Sequence, residues 1–204
     1  MIQISPEAQA RIESMLASGR RRLLGLVGTP GSGKSTYAAA LQAAFGMRAQ
    51  VVPMDGFHLA NSELQRLGRA DRKGAPDTFD QAGYGALLKR LRSQEEDEIV
   101  YAPEFRREIE EPIAGAIAVL PQTQLIISEG NYLLYWHAVA PLFDQVWYVE
   151  VDEALRRERL VRRHEQFGRS PEAAREWVAA TDEPNARLIE SRRARANHIV
   201  RLGG

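Results

Sequence analysis

Five short apolar runs punctuate the chain: Leu23-Leu24-Gly25-Leu26-Val27, Val51-Val52-Pro53-Met54, Leu125-Ile126-Ile127, Val146-Trp147-Tyr148-Val149 and His198-Ile199-Val200. They are nearly continuous rather than alternating, the pattern of strands covered on both faces. Turn residues bound most of them and stretches of helical period lie between. That order predicts an α/β chain with a buried parallel sheet. Ser5-Pro6-Glu7 opens a first helix, with Ser as N-cap and Pro in the first turn, and Gly19 stands where it should end. Further helices are expected over Thr36 to Phe45, over Asp152 to Gln166 and from Ser170-Pro171-Glu172.

The pattern loosens between the second and third runs. Gly68, Gly74, Pro76, Gly83 and Gly85 break it, around one helix at Leu87 to Arg92 and an extended piece from Ile99 to Phe105. This stretch is too long for a plain crossover and too charged for core, so it reads as a flap inserted over the C-terminal edge of the sheet, roughly 58–112. No repeat, low-complexity tract or linker divides the chain. The expectation is one domain over 1–204, with the flap and a lid at roughly 153–170.

Composition narrows the function. The 204 residues carry 27 Lys plus Arg and 27 Asp plus Glu, a formal net charge of zero. No global field draws the chain to nucleic acid or an anionic membrane, so neither is expected as a partner. Cysteine is absent, which removes disulfides, Cys-ligated zinc and thiol nucleophiles and fits a reducing, cytoplasmic setting. The N-terminus lacks the basic start and apolar core of a signal peptide, and no stretch is long and apolar enough for a membrane span. Only Lys34, Lys73 and Lys89 are lysines, so arginine is the default cation and each lysine is informative.

Gly28-Thr29-Pro30-Gly31-Ser32-Gly33-Lys34-Ser35 matches G-x-x-x-x-G-K-[ST], directly after an apolar run and before a helical one. In that context the glycines let backbone N–H groups converge on phosphate oxygens, Lys34 reaches the β and γ phosphates, and the Ser35 hydroxyl can ligate magnesium. The nucleotide site is therefore placed on Gly28, Thr29, Pro30, Gly31, Ser32, Gly33, Lys34, Ser35 and Thr36. The guanine-reading Asn-Lys-x-Asp is missing, since no lysine follows an Asn. ATP is the expected nucleotide, with Mg2+.

Two acids stand at the ends of apolar runs. Asp55 follows Val51 to Met54, at the sheet edge that carries the phosphate loop. It could take the proton of an attacking hydroxyl, although an Asp-Gly pair alone is also an ordinary turn. Glu129, closing Ile126-Ile127-Ser128, is the candidate Walker B acid near magnesium, a capping or turn carboxylate being the alternative.

Met54-Asp55-Gly56-Phe57-His58, Arg72-Lys73-Gly74-Ala75-Pro76-Asp77-Thr78-Phe79-Asp80, Ala102-Pro103-Glu104-Phe105 and Ser128-Glu129-Gly130-Asn131-Tyr132 follow the phosphate loop in turn. In this order they resemble the phosphoribulokinase/uridine kinase family, which includes bacterial pantothenate kinase, over nearly the whole chain. Within it the chain is most similar to small bacterial fructose transport system kinases. The resemblance implies a P-loop NTPase fold with a five-stranded parallel sheet flanked by helices. It also implies ATP-dependent transfer to a hydroxyl of a small-molecule acceptor, a general base at Asp55, and a homo-oligomer. Two features depart from the family: Gly56 stands where uridine kinases usually have Ser, and the chain is shorter than typical pantothenate kinases and phosphoribulokinases.

The helix over Asp152 to Gln166 is rich in arginine. Asp152–Arg156, Glu153–Arg157 and Glu158–Arg162 are favourable i,i+4 pairs. Arg159 and Arg163 share a face without such partners, and are candidates to close on the transferring phosphates, with Arg169 a third; a surface role is the alternative. In the flap, the resemblance implies that Arg72 and Lys73 face the acceptor. His58 is a candidate acceptor contact by its closeness to Asp55, a hydrogen-bonded structural role being the alternative, and Asn185 is one by resemblance to pantothenate kinases. Trp136, Trp147 and Trp177 read as core. The expected function is an ATP-dependent kinase of a sugar, nucleoside or pantothenate-like metabolite. An ATP-binding regulatory module of a sugar transport system, with little or no kinase activity, is the alternative.

Overall fold

The computed structural model describes residues 2–203. Ser5 caps the first helix, its hydroxyl accepting from the Ala8 amide at 3.1 Å. In chain order the elements are α1 (Pro6–Leu16), β1 (Arg22–Val27), α2 (Lys34–Phe45), β2 (Ala49–Val51), α3 (Asn61–Arg66), α4 (Gln81–Arg92), β3 (Val100–Arg106), β4 (Glu111–Val119), β5 (Leu125–Gly130), β6 (Gln145–Glu150), α5 (Glu153–Gln166), α6 (Pro171–Trp177), α7 (Glu183–Glu190) and β7 (His198–Arg201).

Five strands form one sheet in the order β2-β5-β1-β6-β7, every neighbouring pair parallel. Its side chains split between two cores by simple alternation. Leu23 and Val27 of β1 join α4, the β3–β4 hairpin and Ile189 of α7 on one face. Leu24 and Leu26 join α1 and α2 on the other. From the central β1 the chain moves first to one side of the sheet and later to the other, so the carboxyl end of β1 lies at a topological switch point, where ligands of open α/β sheets bind.

Several boundaries differ from the sequence expectation, each for a local reason. The second strand ends at Val51 rather than Met54, because Pro53 has no N–H to continue the ladder. Only the Val52 amide still donates, to the Ile127 carbonyl at 2.9 Å, and Met54–Phe57 coil into a 3₁₀ turn. Asp55 therefore projects from that turn. Helix α4 starts at Gln81, well before Leu87, because Asp80 accepts from the Gly83 amide at 2.8 Å. It buries Tyr84, Leu87, Leu88 and Leu91 against the sheet, so part of the stretch expected as flap is core. The extended piece at Ile99 to Phe105 is β3, and it pairs antiparallel with β4, a strand the pattern did not predict. Among the described residues no helix is long and apolar enough to cross a membrane.

Candidate active site

The phosphate loop joins β1 to α2. Gly31 and Gly33 take φ of +80° and +90°, a region costly for residues with a Cβ. A Cβ on Gly28 would lie 2.5 Å from the Val149 carbonyl oxygen, and one on Gly31 would lie 2.8 Å from that of Arg156. Gly33 caps α2 without a side-chain hydrogen bond, so the first-turn amides stay available to an anion. Thr29, Pro30 and Ser32 are buried, and the Ser32 hydroxyl has no partner among the described residues. Ser35 and Thr36 are exposed.

A cleft of about 470 Å³ opens from this loop. Lys34, Ser35, Asp55, His58, Lys73 and Asn185 all line it, as does Arg163. Burial lowers the Lys34 pKa, while Glu129 and Asp55 oppose the shift. Arg163 is likewise lowered by burial, and Arg107 adds repulsion. An anion in this space would relieve both cations.

Beneath the cleft, buried Glu129 accepts from the Ser35 hydroxyl at 3.0 Å. Burial raises the pKa of Glu129, with Lys34 opposing. A hydroxyl beside a desolvated carboxylate suits a hard cation. Among the described residues no group of three or more His, Cys, Asp or Glu could hold a metal alone, so the pair fits an ion that arrives with phosphate and water ligands. That is how magnesium is commonly held.

At the far end, Asp55 lies 3.3 Å from the Arg107 guanidinium. His58 approaches the Asp55 backbone carbonyl through Nδ1 at 2.7 Å. A carbonyl only accepts, so Nδ1 carries the hydrogen in the neutral ring and Nε2 is left as an acceptor. The ring sits between Phe79 and Phe105, at 4.0 and 4.5 Å, and burial lowers its pKa. A Cβ on Gly56 would lie 2.4 Å from the Pro103 carbonyl oxygen. The absence of a side chain there is thus what lets β3 press onto the turn that carries Asp55.

Two predicted residues lie elsewhere. Arg72 is exposed and paired with Asp77 at 2.9 Å, outside the residues that line the cleft; the adjacent Lys73 points inward instead. Arg159 is also absent from the lining and lies beside the phosphate loop, its guanidinium 3.7 Å from where a Gly33 Cβ would stand. The expected Asp152–Arg156 pair is replaced: Asp152 caps α5 through the Ala154 and Leu155 amides, and buried Arg156 meets Glu183 at 2.6 Å. Glu153–Arg157 and Glu158–Arg162 form as expected. Trp136 and Trp147 are buried, but Trp177 lines the cleft beneath Arg169, whose Cζ is 3.9 Å from the ring.

The sequence reading missed Arg107, Phe105 and the His164–Asp182 contact of 2.8 Å. The signal for Arg107 was its place between two acid-rich stretches in what proved to be the turn of a hairpin. Without β4 in view, nothing aimed it at Asp55. Asn131, from the motif after β5, also lines the cleft, and its carbonyl oxygen is buried without a partner among the described residues.

Comparison with known proteins accords with this geometry. Residues 23–203 match the Phosphoribulokinase / Uridine kinase family. The chain belongs to that family. A protein of similar length from Silicibacter sp. TM1040, provisionally named a fructose transport system kinase, has a crystal structure that superposes with a TM-score of 0.83. It is 39% identical, over 94% of this chain and 97% of that one. A Schizosaccharomyces pombe protein provisionally named a uridine kinase is 36% identical, over 78% of this chain and 72% of its own. YFH7 of Saccharomyces cerevisiae, at 20% identity, 98% and 99% coverage and a TM-score of 0.78, shares the fold. The family chain described here is thus an α/β P-loop NTPase among relatives that bear kinase names.

Proposed function

We propose that the chain transfers the γ-phosphoryl group of ATP, with magnesium, to a hydroxyl of a small metabolite. The observation that supports this most is the meeting of Lys34, Ser35 and Asp55 in one cleft. A phosphate loop alone binds nucleotide, whereas a carboxylate facing it across a cavity has a use in transfer.

In this reading the triphosphate lies on Gly28 to Thr36. Ser35 and Glu129 would hold the magnesium, which would supply positive charge against the phosphates. Asp55 orients the acceptor hydroxyl and takes its proton. The acceptor oxygen bonds to the γ phosphorus as the bond to the bridging oxygen breaks, and ADP leaves. Lys34 and Arg163, with Arg159 beside the loop, balance charge on the transferring group. His58 and Asn185 contact the acceptor. Asn131 has an unpaired oxygen suited to a hydroxyl donor.

Acceptor-dependent ADP release tests the proposal, with fructose, ribose, glycerate, pantothenate, uridine and sugar phosphates as the panel. Wild type should turn over one class, and Asp55→Asn should lose at least about a hundredfold in kcat while binding ATP normally. ATP binding with no turnover on any acceptor would favour the regulatory alternative. An Asp55→Asn enzyme near wild-type rate would remove Asp55 from the mechanism.

A further inference from the structure

At the acceptor end of the cleft Lys73 forms no ion pair among the described residues, and Arg107 shares the one carboxylate it touches, Asp55, with the chemistry. Lys73 Nζ donates to the Asn61 side-chain oxygen at 2.6 Å and to the Glu110 backbone carbonyl, both uncharged groups. An ammonium has three hydrogens, so one is left over. Lys73 makes no salt bridge among the described residues, and burial lowers its pKa despite the nearby charges of Glu110 and Glu111. Among the described residues, the one carboxylate within ion-pair distance of Arg107 is Asp55.

Both cations lie against one ring. Lys73 Nζ is 5.1 Å and Arg107 Cζ 5.9 Å from the centre of Phe105, on which His58 also stacks. Arg107 follows the end of β3 and Lys73 comes from the segment before α4, so two separate stretches of chain bring positive charge to the Phe105 ring. A half-buried ammonium whose hydrogen bonds go to neutral groups is better satisfied when a ligand supplies the anion. The nucleotide is badly placed to do so for Lys73, because its phosphates belong on the loop after β1. Chemistry sharpens the need at Arg107: once Asp55 accepts a proton, that guanidinium loses its one carboxylate partner.

We propose that the phosphoryl acceptor is itself an anion, a hydroxy compound whose carboxylate or phosphate monoester binds between Lys73 and Arg107 beside Phe105. This rests on the kinase reading of the same cleft. A free sugar or nucleoside would leave Lys73 without an anionic partner, and Arg107 without one once Asp55 is protonated, and is a poor ligand.

The test is calorimetric binding to the whole protein loaded with magnesium and AMPPNP, so that nucleotide phosphates already occupy the loop. The probes are matched pairs: D-glycerate and glycerol, pantothenate and pantothenol, ribose 5-phosphate and ribose, with inorganic phosphate alone. At least one anion should bind about tenfold or more tighter than its neutral partner, the loss expected when charged hydrogen bonds are removed. Which pair responds distinguishes carboxylate from phosphate. Lys73→Met and Arg107→Met should each weaken that anion about tenfold and leave AMPPNP within about twofold. Arg107 is exposed in a turn, so its variant serves if Lys73→Met folds poorly. Equal binding of neutral partners, no binding of any anion, or anion binding unchanged in both variants would each overturn the inference. Failure of Asp55 as the base would appear in turnover and leave these binding results untouched.

Discussion

Replacing Gly56 with alanine tests the packing that aims Asp55. The new Cβ would stand 2.4 Å from the Pro103 carbonyl oxygen and 2.7 Å from its carbon, against an ordinary contact of 3.4–4 Å. Gly56 does not occupy the positive-φ region, so backbone strain is not at issue. Both obstructing atoms are backbone, and cannot swing aside as a side chain would. Strand β3 would have to retreat by about 1 Å, carrying its pairing with β4 and the turn that bears Arg107. Overpacking of this kind costs about 1–3 kcal/mol, and in a chain of this length each kcal/mol moves the melting point by about 2–4 °C. Gly56→Ala should therefore melt roughly 2–12 °C below wild type. Gly85→Ala is the paired control: it lies in α4, its Cβ would meet nothing nearer than Leu142 at 3.8 Å, and the substitution should add about 0.5–1 kcal/mol. Thermal denaturation followed by circular dichroism reads both. A Gly56→Ala protein that melts with or above wild type would refute the argument that the hairpin is held in place through this contact.

The ion pair between buried Arg156 and Glu183, at 2.6 Å, joins the start of α5 to α7; Arg156→Ala should cost about 1.5–3 kcal/mol in denaturant unfolding, because Glu183 loses its innermost partner and keeps Arg157 at 3.3 Å. Glu129 has a raised pKa because it is buried. Such an acid favours the folded state below its ordinary value of about 4.5, and that contribution is lost as pH rises from there to the raised folded value. Glu129→Gln should thus melt above wild type at pH 8 without nucleotide, the difference shrinking towards pH 5, and should need more magnesium for ADP release.

Much of the core was legible because continuous apolar runs have few alternatives. β1, β5, β6 and β7 fall on the predicted runs, and the phosphate loop sits between β1 and α2. The end of β2 was misjudged because Val51-Val52-Pro53-Met54 is apolar throughout, and apolarity does not report the missing amide of Pro53. β4 was missed for the opposite reason: Ile113-Ala114-Gly115-Ala116-Ile117-Ala118 is weakly patterned, and most of it is exposed. That omission hid Arg107, since an arginine 52 residues from Asp55 is related to it only through the hairpin. The exchange of Arg156 partners has a similar cause. Helical spacing put Asp152 within reach, but its carboxylate is used as the N-cap and Glu183 arrives from α7.

The central claim is transfer of phosphate to a small hydroxyl compound, and the direct measurement follows the label from γ-labelled ATP. The protein, magnesium and labelled ATP would be incubated with the small-molecule fraction of a cell extract, and the products separated after acid treatment. The account predicts a new acid-stable phosphomonoester whose formation requires magnesium and is abolished by Asp55→Asn. Label that remains in ATP, or appears only as inorganic phosphate while ATP binds tightly, would contradict it.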